Sequence, residues 1–185
     1  MQYKNYSLVE YTNLFDKSEF DFIMKFDKKF SVSIDVFNLG DFTELSFGYV
    51  KDLQYKANRG MNWIDICEVI TKIKKIKVKQ VAQAGMLELC QQKNYIQEEI
   101  ERINLVESTL LGHEPEDEEV RAGLDRFDKY GHYLQLRELA DNDITKIEAV
   151  KQIKYSAALM ELMVRKDLND YEKELTRIRM SKNKN

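Results

Sequence analysis

The chain has 185 residues, 43% of them apolar, a net charge of −3, seven glycines and one proline. That length suits one domain with a proper core or two small ones, and the apolar share excludes a disordered chain. The scarcity of glycine and proline favours long helices. No run approaches the roughly 18 apolar residues of a membrane span, and the Met1–Tyr6 start lacks the apolar stretch of a secretory signal. A soluble, cytoplasmic protein without a membrane partner is therefore expected, with Cys67 and Cys90 as buried thiols rather than a disulfide or metal pair.

In chain order, Ser7-Leu-Val-Glu10 has the form of a capping box and predicts a short helix burying Leu8, Tyr11 and Phe15. From Phe20 to Val36 large apolar residues fall at every second place, pause over Asp27-Lys28-Lys29, and resume. That alternation predicts a two-stranded hairpin with one buried face. It has no Asn-Gly or Asp-Gly turn, so its loop is three residues or longer. Asp41 is placed to cap a helix whose inner face is Phe42, Leu45, Tyr49 and Leu53, ending near Asn58-Arg59-Gly60. Asn62 is placed to cap the next, with Ile64, Cys67, Ile70 and Ile73 inward and Trp63 anchoring the packing.

The longest helical pattern runs over 79–111. Leu89, Ile96, Ile103 and Leu110 recur at sevens, with Ile100 and Val106 between them, while Gln92 and Glu99 interrupt a pure coiled-coil seam. Gly112-His-Glu-Pro115 ends it and opens a helix with Val120, Leu124 and Phe127 inward, closed by Gly131. Short helices follow, carrying Leu136, Leu139 and Ala140, then Ile144, Ile147 and Val150 after Asp143. A last long helix over about 156–180 aligns Leu168, Tyr171, Leu175 and Ile178. The expected fold is mainly α with a small N-terminal β-hairpin (α+β), a helical bundle with two long helices. It reads as one domain over 1–185, with a hairpin-containing part (1–60), a helical body (61–185), and one credible cut near 111–116.

Charge is uneven along the chain. Residues 112–143 hold ten acidic and four basic side chains, whereas residues 144–185 hold six acidic and ten basic ones. An acidic middle and a basic tail attract within one chain, between copies, or toward separate partners. Lys72, Lys74, Lys75, Lys77 and Lys79 form a cluster able to neutralise phosphates. A solvated helix end explains it as well, because cations are favoured there and no aromatic lies within the cluster to stack on bases.

The acidic run Glu114–Glu119 suits a helix start without any bound cation. Asp141-Asn-Asp143-Ile-Thr145 begins like a calcium loop, but Lys146 and Gln152 stand where glycine and the bidentate glutamate belong. His113 and His132, the only histidines, lack zinc spacing with the cysteines and look like surface or cap residues. There is no nucleophile elbow, phosphate loop or dinucleotide fingerprint. No catalytic, cofactor-binding or metal-ligating residue is therefore assigned, and an enzyme is the weakest class.

Several segments resemble small proteins encoded among the structural and assembly genes of tailed bacteriophages. They are Phe37-Asn-Leu-Gly-Asp-Phe-Thr-Glu-Leu45, Trp63-Ile-Asp-Ile66, Gly123-Leu-Asp-Arg-Phe-Asp-Lys-Tyr-Gly131 and Leu139-Ala-Asp-Asn-Asp-Ile-Thr-Lys146, with Tyr171-Glu-Lys-Glu-Leu175 in the last helix. The likeness covers about half the chain and consists of packing and capping motifs. It implies a non-enzymatic role in building a virion, as a tail or baseplate chaperone or a minor structural subunit.

The expected function is thus protein–protein interaction, with phage tail or head components or a second copy as partners. Leu168, Tyr171, Leu175 and Ile178 are the expected contact face, although such a stripe is more often covered within its own chain. The alternative is a nucleic-acid-binding accessory protein using Lys72–Lys79 and the tail's Arg177, Arg179, Lys182 and Lys184. A third reading, a small enzyme with carboxylate chemistry, requires a pocket where two acids converge.

Overall fold

A computed structural model describes Ser7, Glu10 and residues 38–182. Its helices are α1 (Phe47–Asn58), α2 (Trp63–Lys74), α3 (Val78–Ala82), α4 (Met86–Leu111), α5 (Asp117–Arg121), α6 (Tyr133–Leu139), α7 (Ile147–Gln152) and α8 (Tyr155–Lys182). Short 3-10 turns occupy Phe42–Glu44, Leu124–Tyr130 and Ile144–Lys146. The protein is mostly helical, and α4 and α8, of 26 and 28 residues, are the two long helices. Among the described residues there is no strand, only isolated antiparallel bridges joining Ser7 to Gly85 and Ser46 to Lys154. The hairpin expected over 20–36 lies outside the described residues.

The chain divides into two compact units, one holding Met1–Phe42 with Leu53–Arg102 and the other Thr43–Asp52 with Ile103–Asn185. The glycine–proline break at 112–115 falls inside the second unit.

In the first unit the capping boxes at Ser7 and Asn62 are realised. Glu10 accepts from the Ser7 amide at 2.9 Å while the Glu10 amide donates to Ser7 Oγ at 3.3 Å. Asn62 Oδ1 accepts from the amides of Ile64 (2.8 Å) and Asp65 (3.1 Å), and the Asn62 amide in turn donates to Asp65 Oδ2 at 3.1 Å. That bond and Lys56, 3.0 Å from the carboxylate, hold Asp65 below the usual carboxylate range. The buried face of α2 is Ile66, Cys67, Val69 and Ile70, whereas Ile64 is 71% exposed. Of the expected ladder of Ile64, Cys67, Ile70 and Ile73, the middle two are buried and Ile73 is half-buried, and Ile64 departs for a geometric reason. Each step of three residues falls about 60° short of a turn, so four such residues spread around half the helix.

The helix expected from residue 79 is two elements. Ala84 donates to the Val81 carbonyl at 3.0 Å, closing α3, and Gly85 pairs with Ser7 before α4 begins. Within this unit α4 buries Met86, Leu89, Cys90, Ile96 and Ile100, together with the polar Gln92. Asp41, directly before the Phe42–Glu44 turn, pairs with Arg102 at 2.8 Å, and the Tyr95 hydroxyl donates to the Gly40 carbonyl at 2.9 Å. Cys67 and Cys90 are free, buried thiols, and burial pushes the Cys67 thiol up. Lys93 lies 5.2 Å from the Trp63 ring centre, so the tryptophan is a packing surface for a cation.

In the second unit the start of α1 is tied to the start of α8. The Phe47 amide donates to the Ile153 carbonyl (2.7 Å), the Tyr155 amide to the Leu45 carbonyl (2.8 Å), and the two rings stack 6.0 Å apart. The chain pauses at Leu45 and Ser46 to make these bonds, which is why the face expected from Phe42 through Leu53 is not one continuous helix. The buried apolar residues of this unit include Phe47, Val50, Ile103, Leu136, Ile147, Val150, Ala158, Leu159 and Leu162. Asp143 accepts from the Thr145 amide (3.0 Å) and hydroxyl (2.7 Å), so it caps a turn, and Asp141 pairs with Arg165 at 3.0 Å.

The element after Pro115 departs from expectation. Gly123 and Gly131 take positive φ (79° and 49°), so α5 stops after five residues and a 3-10 turn follows. Val120, Leu124 and Phe127, expected inward, are 61%, 38% and 40% exposed. A 3-10 turn eclipses its side chains at every third place and does not extend the helical stripe.

Candidate interaction surface on the C-terminal helix

The first turns of α8 are anchored by Tyr155, Ala158, Leu159 and Leu162, all buried. Beyond them the helix meets the acidic segment of the same unit through its polar flank. Arg177 pairs with Glu116, and Lys173 Nζ lies 4.0 Å from Glu119 Oε1. Glu119 also takes His113 Nε2 at 2.7 Å and the Glu116 amide at 3.0 Å. The bond to His113, then the amide, hold the Glu119 carboxyl below its ordinary value. The acidic middle and the basic tail therefore meet inside one chain.

An open hollow of about 430 Å³ lies along this junction, with His113, Glu119, Glu138, Arg165, Lys166, Asp170 and Lys173 in its lining. Lys166 in its wall pairs with Asp170 at 3.3 Å, and Arg165 pairs beyond the lining with Glu161 at 2.7 Å and Asp141 at 3.0 Å. Arg165 also donates to the Glu138 carbonyl. The Arg165 bonds to Asp141 and to the Glu138 carbonyl join α8 to that acidic segment.

With the polar flank occupied, the apolar flank faces water. Val164, Leu168, Tyr171 and Ile178 are 46%, 58%, 64% and 44% exposed, and Leu175 is half-buried. These residues follow one another at alternating steps of four and three, the spacing of a helix–helix seam. Scattered exposed apolar residues are ordinary, but a continuous stripe on one helix is not. The four residues expected from the sequence as the contact face thus share one exposed flank. Val164, one step of four before Leu168, extends it and was missed, although its spacing was there to be read.

The five lysines of the alternative reading all lie exposed in the first unit, around the end of α2 and the start of α3. Lys74 donates to the Asn38 carbonyl at 3.1 Å, and Lys75 closes α2 with a left-handed φ of 54°. Lys77 precedes α3, its amide donating to Gln80 at 2.9 Å. Of the tail cations, Arg177 is engaged with Glu116.

His132 is half-buried beside the start of α6. Burial first, and then Lys51 and Lys151, lower its pKa below 6.5. Among the described residues no group of three or more His, Cys, Asp or Glu side chains is placed to hold a metal ion. No described helix is long and apolar enough to cross a membrane. The chain matches no family model, no curated protein and no solved structure.

Proposed function

We propose that this chain is a non-enzymatic protein-interaction protein that presents the Val164–Ile178 flank of α8 to a helix of another molecule. The observation that carries the reading is the orientation of α8: its polar flank is held by Glu116 and Glu119 while its apolar flank faces solvent. Amphipathic helices normally bury the apolar side, so the reverse arrangement supports a surface completed by a partner. Covering an aliphatic side chain contributes about 1.5–3 kcal/mol when burial is complete, enough for a few such residues to hold a partner helix. The resemblance to tailed-phage assembly proteins supplies the setting we favour, a tail or baseplate chaperone or minor structural subunit in the host cytoplasm, with the 20–36 hairpin as its N-terminal element.

The test is photo-crosslinking in the cells that make the protein, with the crosslinking side chain at Tyr171 or, as the control on the flank toward Glu119, at Lys173. An adduct from 171 that is absent from 173 supports the reading. Equal or absent adducts overturn it.

The second reading, nucleic-acid binding, is favoured by the joint exposure of Lys72, Lys74, Lys75, Lys77 and Lys79. It requires retention of DNA or RNA that weakens steeply as salt rises. Indifference to both at low salt removes it.

A further inference from the structure

The flanks of the exposed seam carry information about what covers it. With Leu168 and Leu175 at one seam position (a) and Val164, Tyr171 and Ile178 at the other (d), Asp167 and Glu174 fall at g. Arg165, Glu172 and Arg179 fall at e. Arg165 is fastened to Asp141 and Glu161 at 3.0 and 2.7 Å, whereas Glu174 has the longer 3.9 Å contact with Arg177, so Asp167, Glu172 and Glu174 stand against Arg179 at the seam's edges.

A second copy does not complement this pattern. In a parallel pair each Glu174 meets Arg179 of the other copy, but each Asp167 meets Glu172, so attraction and repulsion offset. An antiparallel pair that aligns Leu168 with Tyr171 sets Asp167 against Glu174, and its only attractive edge uses the occupied Arg165. Sliding that pair one heptad toward the C-terminus opposes Glu172 to Glu172 and Glu174 to Glu174. Like charges across a seam disfavour pairing, and opposite charges select the partner.

We infer that the occupant of the seam is an amphipathic helix of a different protein, its apolar stripe flanked by Lys or Arg opposite Asp167, Glu172 and Glu174 and by an acidic residue opposite Arg179. This rests on the reading of the α8 flank as a binding face and adds the chemistry of the partner.

The probes are two synthetic amphipathic peptides with leucine at every a and d place, one with lysine and one with glutamate at e and g. Each is titrated calorimetrically into the full chain, and the chain alone is sedimented. The lysine peptide binds about tenfold tighter, as three exposed ion pairs of ordinary strength provide. Its binding weakens with salt and is lost in Leu168→Ser/Leu175→Ser. Charge reversal at Asp167, Glu172 and Glu174 to Lys inverts the preference. Equal binding of the two peptides, or lysine-peptide binding that survives in the Leu168→Ser/Leu175→Ser chain, overturns the inference. So does a self-associated chain dispersed by that double substitution, although it leaves the binding face standing with a second copy as occupant. A monomeric chain that takes neither peptide overturns the inference and the binding face together.

Discussion

Lys51 Nζ lies 2.5 Å from Glu107 Oε1, with the lysine side chain only 4% exposed and the glutamate 16%. The Tyr155 hydroxyl donates to the same carboxylate oxygen at 2.7 Å, and the ammonium sits 5.3 Å from the Phe47 ring centre. Burial lowers the Lys51 pKa, while the charge and hydrogen bond of Glu107 oppose that shift. A charge withdrawn from water persists only when its partner is in place. This pair therefore fixes how α1, the end of α4 and the start of α8 meet within the second unit.

Removing one member leaves the other buried without its counter-ion. Lys51→Ala is expected to lower unfolding stability by about 3 kcal/mol, the lower end for a broken buried pair because Glu107 keeps some solvent contact. Lys51→Met combined with Glu107→Gln is expected to recover most of that loss, since no unpaired charge remains. Urea unfolding of the three chains checks both expectations. A Lys51→Ala chain as stable as the parent contradicts the structural role of the pair.

His132 gives the molecule an acid-sensitive step. Its pKa is lowered from 6.5 by burial first, then by Lys51 and Lys151, with Asp52 and Glu107 pulling the other way. Between the folded value and 6.5 the unfolded chain binds more protons. Stability is therefore expected to fall as pH drops below about 6.5 and to level off below the folded value. Among the described residues the carboxylates with lowered pKa, Asp65, Asp143 and Glu119, act below their ordinary values of 3.8 to 4.5, under that window. Thermal melts from pH 7.5 to 5 of the parent and His132→Gln check this, the variant showing the shallower slope.

Gly48 marks a close approach of α1 to α7. A Cβ at that position would sit 2.8 Å from Lys151 Cβ and 3.2 Å from its carbonyl oxygen. Alanine normally adds up to about 1 kcal/mol over glycine inside a helix. Here the clash, of order 1–3 kcal/mol, outweighs that gain, and Gly48→Ala is expected to melt below the parent. A variant that melts higher contradicts this approach of the helices.

Local signals in the sequence were the legible ones. The Asn62 cap and the Ser7–Glu10 box each act within a few residues, and Asn62→Ala is expected to lower stability by about 1 kcal/mol, read by the same urea titration. Both long helices were legible because many residues repeat the period. Faces of short elements were not: Ile64 and Val120 are exposed because i+3 ladders drift and glycines interrupt the helix. The Lys51–Glu107 pair joins residues 56 apart in sequence, so no local pattern announces it. The seam on α8 was legible as a stripe. Its outward direction was not, because that depends on Glu116 and Glu119 reaching the opposite flank from a distant segment.

The most direct measurement is the unfolding stability of a chain carrying Leu168→Ser and Tyr171→Ser. With the seam in water, the double substitution leaves stability within about 0.5 kcal/mol of the parent, as surface changes do. A loss of about 2–5 kcal/mol, the scale of emptied core positions, would mean that the stripe is packed inside its own molecule and offers nothing to a partner.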